Sequence, residues 1–137
     1  MSRQRAVTVG DSLEPRSFGP VTQTDIVRFA GAGGDFNPLH HDPERARVAG
    51  FDAPIAMGQM TAGILAGWLT DWCGVENLRS YEVRFVAPVR IGDTIELSGE
   101  VVEISAGTSA GVARLDLTAA VDGSAVVTGS ATIAVKG

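Results

Sequence analysis

The chain has 137 residues, of which 45% are hydrophobic and 20% are charged, and its formal net charge is −5. This length and apolar content predict a single globular domain over residues 1–137 and exclude a wholly disordered protein. The acidic balance argues against a nucleic-acid partner, which would require a basic surface.

Helix signals dominate the first half of the chain. Thr22 and Asp25 have the spacing of a capping box, which predicts a short helix through about Ala30, ended by the glycines that follow. Asp42 before Pro43 predicts the start of a second helix, with the carboxylate as its cap and proline in its first turn.

A third and longer helix is predicted from about Gly58 to Trp72, with Gly74 ending it. It is apolar around nearly its whole circumference, which predicts burial on most sides. We expect the pair Gly63 and Gly67 to allow close packing of this helix on a sheet. The uncharged segment 53–70 contains proline, glutamine and three glycines, so it lacks the roughly twenty strongly apolar residues of a membrane span.

The single cysteine, Cys73, falls at the end of this helix beside Trp72. One cysteine cannot form an internal disulfide, and its presence fits a reducing cytoplasm, where we expect the protein to reside. We expect the thiol to be buried and inert. No apolar run follows the basic first five residues, so no signal peptide is expected.

The second half alternates between apolar and polar residues with a period of two, the pattern of antiparallel strands with one covered and one polar face. The apolar positions form four groups: Tyr81, Val83 and Phe85; Ile95, Leu97 and Val101; Leu115, Leu117 and Ala119; Ala125, Val127, Ala131 and Ile133. A long buried helix against such a sheet predicts an α+β layer architecture.

One hairpin can be predicted in detail. Asp122-Gly123 is typical of a two-residue turn, but that turn would pair the apolar positions of one strand with polar positions of the next. A three-residue loop would pair apolar with apolar residues: Leu117 with Val127, and Ala119 with Ala125. We therefore predict the three-residue loop 121–123.

The most informative stretch places a carboxylate and an imidazole five residues apart. Asp35 and His40 flank Asn37-Pro38, and the proline biases Asn37 away from helical angles. A constrained turn can bring the two groups together around one water, as general acid/base catalysis requires. The spacing also fits a polar loop in which Asp35 caps a helix and the histidines face solvent.

A second motif follows this turn. The first motif comprises Gly34, Asp35, Asn37, Pro38, His40 and Asp42, and the second is the run Ile-Ala-Met-Gly-Gln-Met over residues 55–60. Their order and separation resemble the MaoC-like family of (R)-specific enoyl-CoA hydratases and 3-hydroxyacyl-thioester dehydratases. Weaker similarity extends over residues 84–89 and 91–93. The chain departs from the family at Met57, where the family usually has histidine.

The resemblance implies a hot-dog fold, in which a curved antiparallel sheet wraps one long helix and two protomers join edge to edge as a homodimer or a heterodimer. The implied reaction is reversible addition of water to a trans-2-enoyl thioester of coenzyme A or acyl carrier protein, giving the (3R)-3-hydroxyacyl thioester. Asp35 and His40 would activate the water. The backbone N–H of Gly58, at the start of the long helix, would hold the developing oxyanion. No cofactor, metal, membrane or nucleic acid is implied.

Further residues of the two motifs are predicted to contact the substrate: Asn37, Phe51, Ile55, Met57 and Met60. We also expect the Asn37 side chain to orient the turn through hydrogen bonds to backbone groups. Met57 cannot carry a proton, so we expect it to line the acyl side of the site. His41 is expected to face solvent, and adjacent histidines are poor spacing for a zinc site.

Two alternatives remain open from the sequence. A hot-dog acyl-CoA thioesterase would share the fold and the thioester substrate but would cleave the C–S bond. A non-catalytic or partner subunit of a hydratase complex would account for the methionine at position 57. The motifs are compatible with either carrier and with any acyl chain length.

Overall fold

The computed structural model describes residues 3–106 and 111–137. It contains three α-helices: α1 (Gln23–Gly33), α2 (Pro43–Val48) and α3 (Gly58–Cys73). Single 3₁₀ turns lie at Pro38–His40 and Val75–Asn77. The strands are β1 (Arg16–Phe18), β2 (Leu78–Phe85), β3 (Ile95–Ala106), β4 (Gly111–Val121) and β5 (Ser124–Val135).

The five strands form one antiparallel sheet in the order β1-β3-β4-β5-β2. Helix α3 packs against β2, β4 and β5. The predicted alternation along the central strands is confirmed, because one set of alternate side chains is buried: Leu115, Leu117 and Ala119 on β4, and Val127, Ala131 and Ile133 on β5. The predicted α+β architecture is therefore confirmed.

The helix starts follow the capping signals in the sequence. The Thr22 hydroxyl accepts a hydrogen bond from the Asp25 N–H at 3.0 Å, and the Asp25 carboxylate accepts one from the Thr22 N–H at 2.9 Å. Helix α1 runs about one turn past the predicted end, because the first glycines continue the helix and only Gly34 takes a left-handed conformation, with φ of 70°. Asp42 caps α2 as predicted.

Helix α3 begins and ends within one residue of its predicted limits, but it is buried on one side only. Exposed residues recur at every fourth position: Gln59, Gly63, Gly67 and Asp71. A Cβ added at Gly63 or Gly67 would meet nothing within 4 Å. The predicted packing of these glycines on the sheet is wrong, because larger side chains on the opposite face, such as Leu65, Trp68 and Leu69, fill the space against the strands.

No helix in the described residues is long and apolar enough to cross a membrane. Cys73, in the last turn of α3, is 3% exposed. Burial raises the pKa of the Cys73 thiol above its ordinary value. A buried thiol with a raised pKa is a poor nucleophile, in agreement with the prediction.

The predicted three-residue loop between β4 and β5 is wrong. The turn is the two-residue Asp122-Gly123, in which both residues have positive φ, 50° and 80°. Val121 pairs with Ser124 directly across it. These are the conformations of a type I′ turn, for which an Asp-Gly pair is well suited.

A β-bulge resolves the mismatch that argued against the two-residue turn. The register shifts by one residue at Val126, so Ala120 faces Ala125 while Ala119 faces Val127. Beyond the bulge, Leu115 pairs with Ala131 and Leu117 pairs with Gly129, so the predicted pairings of Leu117 and Ala119 are also wrong. One inserted residue thus returns apolar side chains to one face.

Tyr81 of β2 connects the sheet to α3. Its hydroxyl donates a hydrogen bond to the Ala62 carbonyl oxygen at 2.7 Å. Burial raises the pKa of Tyr81 from 10.0 to about 12. The bond exists only while the phenol keeps its proton.

We therefore expect the tyrosinate absorbance of the folded protein to develop with a midpoint near pH 12, and near pH 10 in denaturant. Tyr81 is the only tyrosine, so the absorbance reports on it alone. Because the folded pKa is the higher one, the stabilisation from Tyr81 is complete below about pH 10 and is lost as the pH rises through about 12.

Tyr81→Phe is the control. It should lower the free energy of unfolding by about 1 kcal/mol at neutral pH and should remove the part of the alkaline destabilisation that depends on the phenol. A tyrosinate midpoint near pH 10 in the folded protein would contradict the predicted environment.

Candidate active site

The turn after α1 is held by backbone and side-chain hydrogen bonds. The Asp35 N–H donates to the Ala30 carbonyl at 2.9 Å, and the Asp35 Oδ1 accepts from the Asn37 N–H at 3.2 Å. The Asn37 Oδ1 in turn accepts from the Leu39 N–H at 3.1 Å and caps the 3₁₀ turn. The expected role of Asn37 in orienting the turn is therefore confirmed.

His40 is fixed at both its ring and its backbone. Its Nδ1 lies 2.7 Å from the carbonyl oxygen of Ile55. Because a carbonyl oxygen can only accept, Nδ1 carries a proton, and Nε2 is the nitrogen left to exchange one. The Gln23 side chain donates to the His40 carbonyl at 2.8 Å and thereby ties the turn to α1.

The structure brings the predicted pair together. His40 Nε2 lies 3.2 Å from Asp35 Oδ2. The Asp35 side chain is 44% exposed, whereas the His40 side chain is 11% exposed. The exchangeable nitrogen of an enclosed imidazole thus faces a carboxylate that water can reach, which is a suitable geometry for proton transfer.

A cavity of about 550 Å³ opens beside this pair. Its walls are formed by Asp35, His40, Ile55, Ala56, Met57, Gly58, Gln59, Phe85, Val86, Ala87 and Pro88. Of the residues predicted for the site, Asp35, His40, Gly58, Ile55 and Met57 line this cavity.

The other three predicted substrate-binding residues lie elsewhere. Asn37 is directed to the turn backbone, and Phe51 lies just after α2, where its N–H donates to the Ala46 carbonyl. Met60 is buried in the core. None of the three is among the cavity-lining residues named above.

Gly58 is the first residue of α3, and Met57 precedes it as a cap residue that makes no side-chain capping bond. The first N–H groups of a helix have no partner within the helix, and the helix dipole places partial positive charge there. The start of α3 therefore presents backbone donors toward the cavity. Met57 itself is buried and lines the wall.

Sequence reasoning missed the opposite wall of the cavity, which is formed by residues 85–88. This segment is joined to the second motif by a backbone hydrogen bond from the Ala56 N–H to the Val89 carbonyl at 2.8 Å and by a bridge between Ile55 and Arg90. The similarity noted over residues 84–89 was the only signal for it in the sequence. Gln59 and Ala56 were missed as well.

His41 is exposed, as predicted. In residues 3–106 and 111–137 no group of three or more His, Cys, Asp or Glu side chains is placed to hold a metal ion. The polar groups at the cavity wall are the Asp35 carboxylate, the His40 imidazole, Gln59 and the backbone at the start of α3.

Comparison with known proteins identifies one family. Residues 4–121 match the family model described as a MaoC-like domain. The chain is 31% identical over 127 residues to 3-hydroxyacyl-thioester dehydratase Z of Mycobacterium tuberculosis, covering 88% of this chain and 84% of that protein. It is 46% identical over 78 residues to "Probable enoyl-CoA hydratase 2" of Dictyostelium discoideum, covering 55% of this chain but only 26% of that longer protein.

A solved structure shows the same architecture. The (R)-hydratase from A. caviae involved in PHA biosynthesis superposes with a TM-score of 0.81 at 26% identity, covering 95% of this chain and 98% of that one. The sheet wrapped on α3 is the hot-dog fold. The chain belongs to the MaoC-like family, and the resemblance drawn from its two motifs is confirmed.

Proposed function

We propose that this protein is a hydro-lyase that reversibly hydrates trans-2-enoyl thioesters to (3R)-3-hydroxyacyl thioesters. The observation that carries the proposal is the contact of 3.2 Å between His40 Nε2 and Asp35 Oδ2 at the wall of a cavity that also contains the start of α3. Membership of the MaoC-like family supports it, as do the names of the hydratase and dehydratase relatives.

The acid/base pair would handle the protons of the reaction. Asp35 and His40 would hold one water, remove a proton from it as its oxygen attacks C3, and deliver a proton to C2. The Ile55 carbonyl keeps Nδ1 protonated, so Nε2 is the ring nitrogen that exchanges the proton. Acid/base assistance of this kind typically contributes about 10²–10⁴ in rate.

The thioester oxygen gains negative charge during the attack. The Gly58 N–H would donate to this oxygen, assisted by the positive end of the α3 dipole. The carrier we propose is coenzyme A, with acyl carrier protein as the alternative. Neither carrier is required for the chemistry at C2 and C3.

Asp35→Asn keeps the shape of the side chain but removes the carboxylate, and His40→Gln keeps a hydrogen-bonding group but removes the basic imidazole. Each should lower kcat by at least about 10² on a trans-2-enoyl-CoA, followed as loss of enone absorbance. The double variant should be little worse than the worse single one, because the two residues act on the same water.

His41→Gln is the matched control, since His41 is exposed and lies outside the walls of the 550 Å³ cavity. It should retain wild-type turnover, and all variants should keep the wild-type thermal unfolding profile. Near-wild-type turnover in either single variant would contradict the mechanism. Wild-type protein that releases free thiol would be a thioesterase, and wild-type protein inactive at every chain length would fit the partner-subunit alternative.

Met57 should line the acyl side of the cavity without a role in proton transfer. Met57→Leu is a nearly volume-conserving apolar change that usually costs less than about 1.5 kcal/mol, so kcat should stay within about tenfold of wild type. A loss of several orders of magnitude in a folded variant would disprove this role. Met57→His, which restores the usual family residue, measures whether the histidine adds activity.

The protein should form at least a dimer, and we propose a homodimer. In the part of the chain that the structure describes, β2 pairs with β5 along one edge, and no strand covers its other edge. Open strand edges are usually covered in native proteins. Light scattering at micromolar concentration should give a mass of about twice 14.2 kDa, and a stable monomer would refute the proposal.

A further inference from the structure

The Phe85 ring lies against the first residue of α3. A Cβ added to Gly58 would lie 2.8 Å from Phe85 Cδ1, 3.0 Å from Cε1 and 3.1 Å from Cγ. No carbon atom can sit that close to the ring, so the observed contact requires glycine at this position. This requirement is separate from any need for a thioester to approach Gly58.

These distances also give the orientation of the ring. An approach to Cδ1 in the plane of the ring would leave the two neighbouring ring atoms much farther away than Cδ1. The three distances instead differ by only 0.3 Å. Gly58 therefore lies over the face of the Phe85 ring.

The backbone that carries the ring is held by contacts distant in sequence. Phe85 pairs with Val127 on β5, and the bulge residue Val126 accepts hydrogen bonds from the Val86 N–H at 2.8 Å and from the Ala87 N–H at 3.2 Å. The β5 bulge thus fixes the end of β2 next to the cavity. Phe85 is nevertheless 55% exposed, so much of the ring remains open while one face covers Gly58.

We infer that Phe85 is a specificity-determining residue, and that the part of its ring not covered by Gly58 is a flat apolar wall against which the conjugated enoyl thioester stacks. This inference rests on the proposed function. The C=C–C=O unit of an enoyl thioester is planar, whereas the same carbons of a saturated acyl thioester are not. A flat wall therefore favours the unsaturated substrate, because a planar conjugated unit can lie along the ring in an offset stack.

The experiment measures binding in an Asp35→Asn background, in which turnover should be at least about 10² slower. Calorimetry would give the Kd of a trans-2-enoyl-CoA and of the saturated acyl-CoA of the same length. With Phe85 present, the enoyl thioester should bind about threefold to tenfold more tightly. Phe85→Leu should bring the ratio of the two Kd values close to one, and Phe85→Tyr, which keeps the ring, should preserve it.

Gly58→Ala supplies a second test, because its Cβ would push the ring out of place. Gly58→Ala should also abolish the preference for the enoyl thioester. In the Gly58→Ala protein, the further change Phe85→Leu should leave the ratio of the two Kd values unaltered. Both ligands present a thioester carbonyl, so the loss of a hydrogen bond to it would weaken the binding of both. Phe85→Met, flexible and apolar, replaces the leucine variant if that variant does not fold.

Val75→Ala is the matched control, since it removes an apolar side chain that is 71% exposed beyond the far end of α3. It should leave the ratio unchanged. A preference that persists in Phe85→Leu would overturn the inference, as would the absence of any preference when Phe85 is present. Turnover by the chain with Asp35 intact is measured separately, so a failure of the proposed function is distinguished from a failure of the inference.

Discussion

The hydrogen bond from His40 Nδ1 to the Ile55 carbonyl joins the two halves of the site. It fixes which ring nitrogen exchanges a proton, and it attaches the turn after α1 to the segment that leads into α3. The backbone bond from the Ile55 N–H to the Leu39 carbonyl, at 3.0 Å, reinforces the same link. Two hydrogen bonds therefore tie the Asp35–His40 pair to the start of α3, a fixed geometry that the proposed mechanism would need.

The same segment also connects to the sheet. Ala56 bonds to Val89, and the end of β2 bonds to the bulge at Val126, so the far wall of the cavity depends on the β4–β5 hairpin. A surface turn at Asp122-Gly123 thus has a structural consequence at Phe85. The bulge restores the register of the core and presents one carbonyl to two amides of the cavity wall.

Methionine at position 57 stands where the family usually has histidine, and it makes this part of the cavity wall apolar. The residue is buried, lines the cavity and makes no side-chain capping bond, although its carbonyl accepts a hydrogen bond from the Met60 N–H at 3.0 Å. Asp35 and His40, which line the same cavity, keep their contact of 3.2 Å. The family usually has histidine at this position, so under the proposed mechanism the backbone and the α3 dipole would act without that polar group.

The sequence by itself determined the features that local chemistry controls. The capping signals at Thr22 and Asp42, the stop at Gly74 and the convergence of Asp35 and His40 across Asn37-Pro38 all depend on neighbouring residues. Tertiary structure alone decided the bulge at Val126, the open face at Gly63 and Gly67, and the Phe85 wall. Each of these depends on contacts between segments far apart in the chain, which the chemistry of neighbouring residues does not determine.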